Sequence, residues 1–192
     1  MKTIIAERRS AINEGDETLT WYFVADSALV NTGKAFYLPE FADEYEAFLV
    51  AVVKINRIGK SIGARFAGRY YSEVAAGIHF RASALRRQLL AAALPTDPSH
   101  SFDRSLTVGE FIPAEEFTGT LHLNLNGKQC ATLPLDSLSA STARLLEKSS
   151  TFNTVKMGDL LIPELSGGIA VKIGDIIDVS LNDRPLFDIH IK

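Results

Sequence analysis

The run AFLVAVVKI, residues 47–55, constrains the fold more than any other stretch of the chain. It is continuously apolar up to Lys54 and rich in β-branched valine. That pattern favours a strand, and a strand with no polar side needs cover on both faces. Arg57 and Gly59 follow it and mark its end. A chain built around such a strand must supply packing layers above and below it.

The flanking text reads as those layers. MKTIIAE is a short strand, and TLTWYFVADSALV is a strand followed by a turn. GKAFYLPEF is extended, with Pro39 marking an edge or a strand end. In TLHLNLNGKQCATL, Leu121, Leu123 and Leu125 face one way and His122, Asn124 and Asn126 the other. NGK closes this pair as a hairpin. The tail from Met157 holds several short strands between Gly, Asn and Asp turns. Three segments read as helices. In SIGARFAGRYYSEVAAG, Ile62, Phe66, Tyr70 and Val74 recur every four residues, and Gly77 is placed to end the helix. ASALRRQLLAAALP is the second, stopped by Pro95. DSLSASTARLLEKSS is the third, with Asp136 or Ser137 as N-cap. No repeat, low-complexity segment or linker interrupts the text, so residues 1–192 read as one domain. The expected class is α+β, mostly β.

Composition removes several functions. The net charge is -3 and no dense Lys/Arg run occurs, which argues against nucleic acid as a partner. No stretch reaches the roughly 18 apolar residues that a bilayer span needs, so no membrane role is expected. Cys130 is the single cysteine, too few for an intrachain disulfide or a thiolate zinc site. The apolar run near the N-terminus is short for a signal peptide. A cytoplasmic protein is the expectation.

The tail carries the most specific motifs: KMGDLLI, then the turn SGGIAV, then KIGDIIDVSL. The hairpin LHLNLNGKQ and the helix DSLSASTARLLEKSS precede them, and FYLPEF, VVKINRIGKSI and YYSEVAAGIHF stand upstream. In order and spacing this resembles the fumarylacetoacetate hydrolase family, in its compact bacterial form, over nearly the whole chain. The resemblance implies a mixed β-roll, or pseudo-barrel, with two or three peripheral helices. It implies hydrolysis of carbon–carbon bonds in β-diketo acids, or the related decarboxylation and isomerisation. It also implies a magnesium, manganese or calcium ion on oxygen ligands, and a homodimer.

Set against the family pattern, the functional positions diverge. The Glu-x-Glu metal pair falls on Phe48 and Val50, and the third metal ligand, an aspartate, falls on His79. The Arg-Asp pair that follows is missing from ASALRR. Near the N-terminus Arg8 is kept, while Asn13 stands where the family carries a histidine. The pocket lysine aligns with His100, and a Thr-Gly-Thr-Pro turn becomes Pro163, Glu164, Leu165 and Ser166. Rings and isopropyl groups cannot hold a hard cation, and imidazole suits it poorly.

The expectation is therefore a family-fold protein without a metal cofactor, which has left catalysis for binding or interaction, with a small molecule as possible ligand. Its pocket would be walled by Phe48, Val50, His79, Arg81 and Leu165. The alternative is an active hydrolase, isomerase or decarboxylase of small keto acids using His79, His100 and Glu164. A shifted register would bring Glu44 and Glu46 to the metal instead. Arg81, Arg86 and Arg87 read as the wet face of a helix or, less simply, as an anion site.

Overall fold

A computed structural model describes residues 1–10 and 17–192, apart from the side chains of residues 8–10 and 17–18. The larger sheet contains β1 (Thr3–Ser10), β2 (Glu17–Val24), β3 (Leu29–Asn31), β4 (Tyr45–Ile55), β5 (Tyr71–Ala82), β6 (Leu106–Val108), β7 (Ile112–Pro113), β10 (Leu160–Ile162) and β11 (Ile169–Val171). The smaller contains β8 (Thr120–Leu125), β9 (Lys128–Pro134), β12 (Ile176–Leu181) and β13 (Arg184–His190). Two α-helices, α1 (Ser83–Ala91) and α2 (Leu138–Phe152), accompany them.

The larger sheet runs β2-β1-β10-β4-β5-β6-β3, so β2 and β3 are its two edges. Only residues 25–28 separate those edges along the chain. Five Cα steps reach about 19 Å at most. Seven flat strands would hold their edges roughly 29 Å apart. The sheet must curl, and it forms a half-barrel. Parallel pairs (β1 with β10, β3 with β6) mix with antiparallel ones, as a mixed roll requires.

Alternation along β4 divides the core. Phe48, Val50 and Val52 pack with Ile5, Val24, Ala75, Leu106, Val108, Leu160 and Ile162. All of these come from the large sheet's own strands, including one edge, so this cluster fills the inside of the curl. Ala47, Leu49, Ala51 and Val53 point outward, onto Leu121, Leu123, Ile177 and Val179 of the small sheet and Leu145 and Leu146 of α2. The strand is covered on both faces, as its unbroken apolar text requires.

The expected helix over residues 61–77 is not formed. A 3-10 helix spans Ala64–Arg69, and Tyr71 begins β5. β5 pairs with β4 over nearly its whole length, from Tyr45 opposite Ala82 to Ile55 opposite Tyr71. That ladder, made with residues distant in sequence, outweighs the local four-residue spacing. Gly77 lies mid-strand rather than at a helix end: a Cβ there would meet the Thr107 carbonyl oxygen at 2.7 Å. The other two helices form, with differences at their ends. α1 stops at Ala91, before Pro95. Ser137 is the N-cap of α2 but makes no side-chain cap bond, because its hydroxyl is used elsewhere.

The repeated Lys-x-Gly-Asp text makes the same turn twice. Asp159 accepts the Lys156 N–H at 2.8 Å and Asp175 accepts the Lys172 N–H at 2.9 Å. Gly158 and Gly174 supply φ of 87° and 94°. The Asn126–Gly127 hairpin takes φ of 53° and 77°, the signature of a type I′ turn. No helix among the described residues is long and apolar enough to cross a membrane.

Gly77→Ala should destabilise the protein by about 1–3 kcal/mol through overpacking of a site whose nearest neighbour is backbone. Urea denaturation measures this directly, and an unchanged midpoint would contradict the packing described.

Candidate functional site

The open end of the curl gathers polar side chains from five elements. On β5, His79 and Arg81 share the inner face by alternation. Across the ladder they oppose Phe48 and Glu46. The Arg81 guanidinium lies over the Phe48 ring, 4.4 Å from its centroid. Its Nη2 donates to the Tyr22 hydroxyl at 3.2 Å. Tyr22 on β2 stands opposite Ile5 on β1, which puts Glu7 on the same inner face two residues on. Glu7 accepts a hydrogen bond from Arg86 of α1.

A cavity of about 550 Å³ opens here. Glu7, Phe48 and Arg81 form part of its wall. Ser137, Glu164, Leu165 and Ser166 form much of the remainder. The turn after β10 is fastened to β4: Leu49 N–H donates to Ser166 Oγ at 3.0 Å and Ser166 N–H to the Leu49 carbonyl at 2.9 Å. The Glu164 carboxylate accepts the hydroxyls of Ser137, at 2.8 Å, and of Ser141. A Cβ on Gly168 would lie 2.8 Å from the Phe48 ring and 3.1 Å from the Glu46 carboxyl carbon. The turn thus rests on Phe48, and glycine is what allows the approach.

Behind the cavity sit two buried histidines. His79 is 0% and His100 2% exposed. His79 Nδ1 is 3.1 Å from the Ser105 carbonyl oxygen. That bond places the proton on Nδ1 and leaves Nε2 as an acceptor. Burial, reinforced by the Arg81 charge, holds the His79 pKa down to about 3. The same two causes lower that of His100 to about 4. Both imidazoles are neutral at pH 7. Tyr22 packs on them, with ring centroids 6.1 Å from His79 and 4.0 Å from His100, and burial pushes its phenol pKa up.

No family model matches the sequence. Two curated proteins are similar to it. Oxaloacetate tautomerase fahd-1, mitochondrial, of Caenorhabditis elegans is 26% identical over 146 residues, 73% of this chain and 66% of that protein. Oxaloacetate tautomerase YcgM of Escherichia coli (strain K12) is 31% identical over 101 residues, 50% of this chain and 46% of that protein. The matches thus span less than two thirds of either relative. Among solved structures, a fumarylpyruvate hydrolase from Pseudomonas aeruginosa in complex with Mn²⁺ and pyruvate superposes with a TM-score of 0.86 at 20% identity, covering 100% of this chain and 89% of that one. A putative fumarylacetoacetate hydrolase family protein from Yersinia pestis CO92 gives 0.87 at 17% identity, covering 100% and 93%.

The chain has the fumarylacetoacetate hydrolase fold. On that fold the sequence-derived site residues fall into two groups. Phe48, Arg81, Glu164 and Leu165 meet at the cavity wall. Val50, His79 and His100 are buried outside that wall. Glu44 precedes β4, is exposed and binds Arg87 at 2.6 Å, while Glu46 stands on β4 across from Arg81. Among the described residues, no three His, Cys, Asp or Glu side chains come together as a metal site needs. Asn13 and the side chain of Arg8 lie outside the described residues.

The wet-face reading of the arginines holds only for Arg87. Arg81 is on a strand, and the Arg86 side chain is 14% exposed and paired with Glu7. Sequence reasoning missed Glu7 and Tyr22. The strand text MKTIIAE followed by TLTWYFV contained the signal, because antiparallel pairing puts Glu7 and Tyr22 on the side of Ile5.

Stability should fall as pH drops through this site. Each histidine binds its proton more weakly folded (about 3 and about 4) than at its ordinary 6.5, so the unfolded chain takes up protons first as pH falls below 6.5. The stabilisation is complete above pH 6.5 and is lost toward pH 4, at up to about 1.4 kcal/mol per pH unit for each group. Urea midpoints measured from pH 7 to 4.5 should show the fall, and His100→Phe should flatten it. Equal slopes in the two proteins would remove His100 from the account.

Proposed function

We propose that the cavity binds a small oxo-carboxylic acid through side chains alone, with the carboxylate on Arg81. One observation carries this reading: a guanidinium held between the Phe48 ring and the Tyr22 hydroxyl, at the wall of a cavity of about 550 Å³. A planar fork of N–H donors, fixed by stacking, is suited to a carboxylate. Leu133, Pro134 and Leu165 give the cavity an apolar side for a short carbon chain. Two similar proteins are oxaloacetate tautomerases, and one structural neighbour is a hydrolase in complex with Mn²⁺ and pyruvate, which supports an oxo acid as the class of ligand.

The donors present do not fit a hard divalent cation. A guanidinium and a phenyl ring sit at the centre of the wall. The two wall carboxylates are engaged, Glu7 by Arg86 and Glu164 by Ser137 and Ser141. In this reading the protein keeps a binding role without metal chemistry, and we propose a homodimer as its assembly, to be read by sedimentation equilibrium.

A second reading, turnover of the acid by other residues, is favoured by Glu164 sharing the wall with Arg81. A carboxylate there can take a proton from the carbon beside the ligand's carbonyl and return it to the oxygen, which is keto–enol interconversion.

Calorimetric titration with pyruvate and oxaloacetate tests the first reading. Binding should be unchanged by EDTA and should weaken about 10–100-fold in Arg81→Met, the loss of one charge-assisted contact. Binding that requires Mg²⁺ or Mn²⁺ would overturn it. For the second, the ultraviolet absorbance of enolic oxaloacetate should decay faster with protein than without, and Glu164→Gln should remove most of that acceleration. A Glu164→Gln variant as fast as the parent would eliminate that role.

A further inference from the structure

Seven buried side-chain nitrogen or oxygen atoms have no hydrogen-bond partner among the described residues. Five of them belong to one neighbourhood behind the cavity: Arg81 Nε, Arg86 Nη1, His79 Nε2 and both ring nitrogens of His100. Tyr22 ties these groups together, as it packs on both imidazoles and accepts from Arg81. Buried polar groups in folded proteins are paired as a rule, so five bare atoms in one place describe a binding surface.

Their chemistry specifies the occupant. The two guanidinium N–H groups can only donate. His79 Nε2 can only accept, since Nδ1 donates to Ser105. His100 offers one donor and one acceptor. The Arg86 guanidinium is paired with Glu7, and Glu46 stands across the ladder from Arg81, so the cluster is charged but not stripped of carboxylates. A partner must therefore accept several hydrogen bonds and also donate one.

We propose that this cluster is a buried site for a small oxyanion carrying a hydroxyl, of the hydrogencarbonate or hydrogenphosphate kind. The oxygens receive Arg81 Nε, Arg86 Nη1 and His100, and the hydroxyl donates to His79 Nε2. The site rests on the same Arg81 as the proposed oxo-acid cavity but uses its Nε.

The test is a titration of the full chain with sodium hydrogencarbonate and, separately, sodium phosphate at pH 7.5, with ionic strength held by chloride. Long-range ¹H–¹⁵N spectra read the imidazoles. Saturable displacement of the His79 and His100 ring nitrogens, with exposed His190 unmoved, is expected for one anion or both, and the arm that saturates identifies it. His100→Phe keeps the ring against Tyr22 and should weaken binding at least tenfold. Arg86→Lys, which keeps the charge beside Glu7, should do the same if the first variant does not fold. No saturable change with either anion, or undiminished binding in the variant that folds, overturns the proposal. Pyruvate titrated into the same samples reads the outer cavity, so loss of oxo-acid binding with retention of the oxyanion separates the two conclusions.

Discussion

The cross-strand ladder between β4 and β5 is the constraint on which the molecule depends. It fixes which residues of the two longest strands share a face, from Glu46 opposite Arg81 through Phe48 opposite His79 to Gly77 opposite Val50. A slip of one residue would exchange the inner and outer sets and turn His79 and Arg81 toward the small sheet. Apolar burial enforces the register. Val50, Val52 and Ala75 fill the curl, while Leu49, Ala51, Val53 and Ala76 fill the layer outside it. Gly77 lets Thr107 come close enough for β6 to extend the sheet.

The curl converts that register into a site. Because the two edges of the large sheet are joined by residues 25–28, its inner face closes on itself, and side chains at the open end converge instead of spreading. Arg81 is the pivot of this convergence. Its charge is accommodated by a ring face, a phenol and the nearby Glu7, and its presence helps keep both histidines neutral. The site thus sets a guanidinium among carboxylates, with neutral imidazoles behind it. The turn carrying Glu164 and Leu165 closes the cavity, pinned through Ser166 to β4 and through Glu164 to α2.

Much of the fold was legible in the text. The alternation of Leu121, Leu123 and Leu125 and the Asn126–Gly127 pair announced a hairpin, because period and turn chemistry are local properties. The Gly and Asp turns between the short strands of the tail were legible for the same reason. The stretch from Ile62 to Val74 misled, because four-residue spacing imitates a helix while the deciding partner, β4, lies at a distance in sequence. The site was half legible. Phe48, Arg81, Glu164 and Leu165 came from likeness to a family pattern, whereas Tyr22, Glu7 and the pairing of Arg86 required the sheet to be assembled.

The chain by itself determined a mostly β fold around one doubly covered strand, because a run of apolar β-branched residues has no stable alternative to burial on both sides. Only the tertiary structure decided that an arginine, stacked on a phenyl ring and bonded to a tyrosine, would face the cavity with two buried imidazoles at its back. Such a site is a property of distances between strands far apart in sequence, and those distances exist only once the sheet has curled and closed.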